Sequence, residues 1–435
     1  MRRHLSPLLF LFLLALVALL LAPSPATAGP PSDPAPPAQV VYPTGSFPTD
    51  VENVQAAADN GGRVRLKATA ANGAPTPFNF GSDGRVFLTE DVQFLGETVA
   101  GATTTIEGGY RSLSSFERVD FSVEGIRFDG ARSAAIYLVE ASGTRIVGNE
   151  IVNVVGSPLS FAPHIRKGQG IWVLSVGSGD MLIAGNVIRD VDAELGYAIA
   201  IFGTDATTTI ADNLFRGFNT AGILVGEYSS PHLIENNLVA PGPERYAAVS
   251  SAGNGILISN FVTQSGAPVW VRGNRIICEN PRADGIIANF FTDNVNVSGN
   301  HVTMRDSHFG GITLALGASD GYVGANRLDG SASFALSIWN FGILPDVVND
   351  NNTLVGNNIA RFEASVADVF FSPAAVDNIL IGNSGDVLDL GENNEITGVR
   401  LLNGDRRIGD AIGDAQARKL EFLRSVESRS VPASP

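Results

Sequence analysis

Cysteine is nearly missing from this chain: Cys278, in "RIICEN", stands alone. An intrachain disulfide is therefore impossible, and so is a metal site built on cysteine thiolates. Lysine is almost as scarce, present at Lys67, Lys167 and Lys419, and the formal net charge is -15. Such an acidic chain repels nucleic acid and anionic lipid rather than binding them. No His-x-x-x-His or His-Cys cluster points to zinc, and no phosphate loop or dinucleotide fingerprint opens a helix. Helical periodicity is also rare. From about residue 67 to about residue 400, β-branched residues dominate and turn-forming residues interrupt every few positions.

The ends differ from the middle. Arg2 and Arg3 precede an apolar run from Leu8 to Ala22, and Ala26-Thr27-Ala28 follows as a small-x-small site. This is the pattern of an export signal over residues 1–28, and the run is shorter than the ~20 residues that span a bilayer. Cleavage there removes two arginines and no acid, taking the charge from -15 to -17, and implies a secreted, periplasmic or cell-envelope protein with no membrane span afterwards. A proline-rich linker is expected over residues 29–44. "FPTDVENVQAAADNGGRVRL" then predicts a short helix capped by Thr49 or Asp50, with Val51, Val54, Ala57 and Ala58 on its apolar face. At the other end, in residues 401–435, Ile412, Leu420, Leu423 and Val426 have the spacing of a helix that covers an open end.

Between these ends one phrase repeats. "IVGNEI", "IAGNVI", "IADNLF", "IENNLV", "VRGNRI", "VSGNHV", "VGANRL", "LVGNNI" and "LIGNSG" place Asn149, Asn186, Asn213, Asn237, Asn274, Asn300, Asn326, Asn357 and Asn383 at intervals of 24 to 37 residues. A second phrase keeps step with it: "GIWVL" at Gly170, "AIAIF" at Ala198, "GILVG" at Gly222, "GILIS" at Gly255, "GIIAN" at Gly285, "GITLA" at Gly311 and "ALSIW" at Ala335. A unit this short cannot bury its apolar face alone, whereas stacked copies share one core, so each unit is one coil of an all-β solenoid over residues 45–400. The asparagine suits a left-handed bend between two strands, and its amide can bond its counterpart in the next coil.

The entry "TDVENVQAAADNGGRVRL", the phrase "VEGIRFDG" at Val123 to Gly130 and the run of Gly-Asn coils resemble the right-handed parallel β-helix superfamily of pectin and pectate lyases and polygalacturonases. The resemblance implies a polysaccharide groove along one parallel sheet, walled by the loops that enter it. The Gly-His-Gly and Asp-Asp words of polygalacturonases are missing, and so is the pectate-lyase signature around its catalytic arginine.

Alternation after each Gly-Ile start sends Ile171, Ile199, Ile223, Ile256, Ile286, Ile312 and Leu336 inward, with Val173, Ile201, Val225, Ile258, Ala288, Leu314 and Ile338. The outward column holds Trp172, Ala200, Leu224, Leu257, Ile287, Thr313 and Ser337, apolar enough to suggest either a ligand groove or a face packed under loops. Trp172, Tyr228, Phe291 and Trp339 can stack on sugar rings, and Tyr246 and His308 lie on loops that would wall such a groove. The long insertion "SPLSFAPHIRKGQ" carries His164, Arg166 and Lys167, while "RDVDAELG" in the next coil carries Asp190, Asp192 and Glu194. These suit β-elimination on an acidic glycan: Lys167, Arg166 or His164 as base and clamp, and the three carboxylates as Ca²⁺ ligands. For a hydrolase, Asp205, Glu227 and Asp293 are the available carboxylates. His232 and His301 lie beside turns and read as turn or surface residues. Two functions follow: a lyase of acidic polysaccharide, or a non-catalytic glycan-binding or cell-surface protein.

Overall fold

The computed structural model describes residues 38–402, apart from 117–119, 141, 161, 175–178, 204, 243–252, 261–266, 280 and 341–346. The export signal, most of the proline-rich segment, Tyr246 and the C-terminal helix expected after residue 402 lie outside the described residues.

Strands wind into a prism with three ladders. The first is a sheet of 14 strands that adds one strand per coil, from Gln39–Val41 to Glu395–Thr397. Its opening strand pairs in parallel with Gly62–Leu66, so regular structure begins inside the segment expected as linker. The second ladder follows the asparagine bend and includes Arg127–Asp129, Glu150–Val154 and Val187–Val191. The third runs through Ala134–Val139, Arg166–Leu174, Leu195–Phe202 and Ala221–Gly226. The last two merge in later coils, where one strand spans His301–Leu314. Nearly every pairing is parallel and joins neighbouring coils, as winding requires.

The bend is held by a continuous amide ladder. Each Nδ2 from Asn149 to Asn357 donates to the Oδ1 of the next ladder asparagine at 2.7 to 3.1 Å. A second, shorter ladder runs Asn352, Asn378, Asn394. The left-handed residue is the one before the asparagine, such as Gly148 at φ 63° or Gly273 at φ 63°, and not the asparagine itself. The two tasks are divided: the preceding residue takes the bend, most often as glycine but as Asp212, Asn236 and Ala325 before Asn213, Asn237 and Asn326, and the ladder asparagine satisfies buried backbone groups. Glycine in the Gly-Ile phrase serves space instead. A Cβ on Gly255 would meet the Gly285 carbonyl at 2.4 Å and the Ile276 side chain at 2.5 Å.

Both predicted inward columns are buried, every member at 2 % exposure or less. Cys278 lies in the same core. The N-terminal helix is Thr49–Asp59, with Val54, Ala57 and Ala58 buried against the first coils. Pro48 precedes it and no side chain caps it. Asp50 instead ties the helix down: its carboxylate accepts from Thr44 N at 2.6 Å, Thr44 Oγ1 at 2.8 Å and Asn79 N at 2.8 Å. Among the described residues no helix is long and apolar enough to cross a membrane.

Candidate active site

Register fixes which side chains share the outer face of the third ladder. Phe87 pairs with Ser114, Ser114 with Tyr137, Tyr137 with Trp172, and Trp172 with Ala200. The column continues through Leu224, Leu257, Ile287, Thr313, Ser337, Phe370 and Leu388. Its early coils carry rings and cations. The Tyr137 and Trp172 rings meet edge to face at 5.0 Å, and Phe116 lies 5.5 Å from Tyr137. The Arg111 guanidinium sits 3.7 Å from the Tyr137 ring centre, 5.3 Å from Trp172 and 5.5 Å from Tyr110. Arg85 covers Tyr110 at 4.3 Å, and the Lys167 ammonium lies 4.0 Å over Trp172. Such cation–ring contacts hold a charge in place without neutralising it.

Among the described residues, no carboxylate comes within ion-pair distance of Arg85, Arg111 or Lys167. Burial, reinforced by the Arg111 charge, pushes the Lys167 ammonium down to about 8. Tyr110 is also held below the usual phenol range, first by a hydrogen bond from Ser157 and then by Arg111, Ser133 and Arg85. Three buried polar groups in this patch lack a protein partner: Arg111 Nε, Trp172 Nε1 and the whole amide of Gln169. Buried polar groups are ordinarily satisfied, so these mark a place that a ligand or water completes.

The long insertion positions Lys167. Ser157–Pro158 pairs antiparallel with Lys167 and Arg166, and Ala162 and Ile165 pack with Leu159 and Leu195 of the next coil. The expected constellation separates here. Arg166 donates from its backbone N to Glu194 Oε2 at 2.7 Å and from Nε at 3.2 Å, and its guanidinium also reaches the Val155 carbonyl at 3.0 Å. Arg166 and Glu194 therefore fasten the hairpin to the next coil. His164 is exposed on the hairpin turn.

The three carboxylates expected as Ca²⁺ ligands each face an arginine instead of converging. Glu194 is committed to Arg166, Asp190 pairs with Arg189 at 3.1 Å, and Asp192 lies 3.9 Å from Arg166. No group of three acidic, histidine or cysteine side chains is arranged to hold a metal ion among the described residues.

Among the described residues expected to meet a sugar, Trp172 belongs to the patch, whereas Tyr228, Trp339 and His308 do not. Trp339 is 1 % exposed, its ring packed 5.5 Å from Phe334 and 6.0 Å from Phe370, and it stands six coils from Trp172, about 29 Å at the parallel-strand spacing. Tyr228 is 1 % exposed against His232, whose ring centre is 5.2 Å away. His308 is half-buried on the strand His301–Leu314, five coils from Lys167. His232 corrects the surface reading: it sits on an inward column between Thr208 and Val269, and burial pushes it down to about 4. His301 bonds Asp329 at 2.7 Å. Arg85, Tyr110, Arg111 and Tyr137 were not singled out by sequence; aligning "SAAIYLV" with "GQGIWVL" on their isoleucines would have put Tyr137 beside Trp172.

A family model described as the right handed beta helix region matches residues 92–239. The mannuronan C-5 epimerase AlgE4 A-module of Azotobacter vinelandii is similar in structure with a TM-score of 0.53 at 13% identity, covering 85% of this chain and 98% of that one. A tailspike protein mutant of E. coli bacteriophage HK620 aligns with a TM-score of 0.45 at 13% identity, over 83% of this chain and 75% of that one. A mannuronic acid specific polysaccharide family 6 lyase from human gut microbiota aligns at 0.42 and 11% identity, over 90% and 99%. Among curated proteins none matches the sequence. Coils, amide ladder and shared core together give the chain a right-handed parallel β-helix fold, in keeping with the family model over residues 92–239.

Proposed function

We propose that the patch around Lys167 and Arg111 binds an acidic polysaccharide and removes the proton beside a uronate carboxylate, as a lyase does. One observation carries this reading: an ammonium lowered to about 8, held over Trp172 beside a guanidinium that no carboxylate among the described residues neutralises, on a protein of net charge -15. A cationic cleft on an acidic body gathers an anionic ligand locally. Arg111, with Arg85 behind it, faces the uronate carboxylate, and its charge stabilises the enolate that forms when the adjacent C–H bond breaks. Neutral Lys167 takes that proton. The electron pair then forms the double bond and expels the glycosidic oxygen, which takes a proton from the Tyr110 hydroxyl. Trp172, half-buried, offers ring surface to the sugar, while Tyr137 beneath Arg111 holds the guanidinium in place.

The name of the Azotobacter protein fits the same first step, because C-5 epimerisation also begins by removing that proton. Two readouts on pectate, alginate and glycosaminoglycan test the reading: ultraviolet absorbance of the unsaturated product, and exchange of the C-5 proton with solvent deuterium. Unsaturated product that disappears in Lys167→Met supports the lyase. Exchange without cleavage supports proton removal but not elimination. Neither signal, together with retention on immobilised glycan, would leave a binding protein.

A further inference from the structure

The first ladder has an outer face that the site around Lys167 does not use. Its inward column is core, with Ile234, Val271, Val297 and Val323 each at 1 % exposure or less, so the alternate positions point outward. Register lines up Thr209, Leu233, Trp270, Asn296, Tyr322 and Thr353 on six consecutive coils, every one of them exposed or half-buried. Trp270 is 38 % exposed and Tyr322 37 %. None of the six is charged. In the neighbouring outward column Arg272 Nε donates to Glu235 Oε2 at 2.8 Å, and Ser298 and Gly324 follow, so the two charges there cancel. Asp320, two residues before Tyr322, adds a carboxylate and no cation. A Cβ on Gly324 would fall 2.2 to 2.4 Å from the Tyr322 hydroxyl and ring carbons. The ring therefore lies along the strand over Gly324 rather than standing off the sheet.

We infer that this strip is a second carbohydrate-binding surface, and that its ligand is a chain of uncharged sugars. Trp270 and Tyr322 stand two coils apart, about 9.6 Å at the parallel-strand spacing, close to the length of two linked pyranose units. Each ring meets the apolar C–H side of every second sugar. Asn296 between them offers an amide donor and acceptor to the intervening unit, and Thr353 adds a hydroxyl on the next coil. Charge selects the occupant. A uronate chain carries one negative charge per unit and finds no unpaired cation on this strip, and an anionic lipid surface is disfavoured for the same reason. The surface lies on a different ladder from Lys167, so it stands or falls without the chemistry proposed there. Its role is attachment: one glycan holds the protein while the patch around Lys167 meets another.

The test is affinity electrophoresis of the full chain through gels containing β-glucan, xylan, glucomannan or starch, with polygalacturonate as the charged control. Retardation by at least one uncharged polymer is expected. Trp270→Ala and Tyr322→Ala should each weaken it by about threefold to tenfold, the worth of one ring contact. Both rings are exposed, so these variants keep the fold. Gly324→Ala should weaken it as Tyr322→Ala does, because the added methyl displaces the ring. Lys167→Met should leave it unchanged. Passage through all four uncharged gels without retardation overturns the inference, as does retardation that both ring variants leave intact. Retardation by polygalacturonate that the ring variants weaken would put an acidic chain on the strip and overturn the charge argument. Sedimentation covers the remaining occupant: a dimer that Trp270→Ala splits would show that a second copy of the chain, and not a sugar, covers this face.

Discussion

The strands Arg166–Leu174 and Arg327–Ile338 occupy the same ladder and bury equivalent inward residues, Ile171 and Leu336, yet their outer faces have opposite characters. Around Arg166–Leu174 the outside carries Trp172, Tyr137 and three cations with buried polar atoms left over. Around Arg327–Ile338 it carries Phe334, Trp339, Phe370 and Leu388, which form a second apolar cluster, with Phe334 and Phe370 stacked at 4.8 Å. The inner columns leave little choice, because coils must stack. The outer columns are free, and the chain has used one stretch as extra core and lined the other with cations and unsatisfied polar atoms.

The sharpest way to break this contrast is to exchange its consequences. Lys167→Met should lower product formation by about 100-fold or more, the usual worth of a positioned base, while Trp339→Ala should leave the activity of folded molecules unchanged; equal losses would dissolve the distinction. Stability should behave in the reverse way. Urea unfolding should show Trp339→Ala or Phe370→Ala costing about 3–5 kcal/mol, as for large core rings, against less than about 0.5 kcal/mol for Phe87→Ala, an exposed ring. The amide ladder is common to both regions, so Asn149→Ala and Asn326→Ala should each cost about 2–3 kcal/mol through lost and orphaned hydrogen bonds, and a large difference between them would show that the coils are not equivalent.

The smallest effect is on pH dependence. Lys167 is lowered to about 8 from an ordinary 10.5, so between those values the unfolded chain holds more protons than the folded one. Stability should therefore rise with pH across that window, and the rise should flatten in Lys167→Met. His232 behaves in the same sense at lower pH: lowered to about 4 from 6.5, it should cost stability as pH falls between those values, and His232→Leu should remove that part.

Whatever stacking dictates was legible in the sequence. The Asn149 to Asn383 series and the Gly-Ile starts marked coil, ladder and inward columns, because each coil repeats the same steric problem at the same place. Lys167 and Trp172 were also visible, one in a long insertion and the other as an outward ring. Arg85, Tyr110, Arg111 and Tyr137 escaped because they come before the first Gly-Asn phrase at Asn149, where no repeat sets the register. Trp339 and Tyr228 misled for another reason: alternation shows which way a side chain points, not whether something covers it. Asp190, Asp192 and Glu194 looked like a cation site because charge spacing along one chain does not show Arg166 of the preceding coil, which faces Asp192 and Glu194, while the pairing of Asp190 with the adjacent Arg189 was open to view.

With lysine present only at Lys67, Lys167 and Lys419, the side-chain signals can be followed individually. A proton titration by NMR of ¹³C-lysine-labelled protein therefore examines the central claim directly, with Lys167→Met to assign the resonance. The account predicts one ε-carbon titrating near 8 and shifting when oligouronate is added, with the other two unaffected by the sugar. A Lys167 signal that titrates with an ordinary ammonium near 10.5 and ignores every acidic oligosaccharide would contradict it.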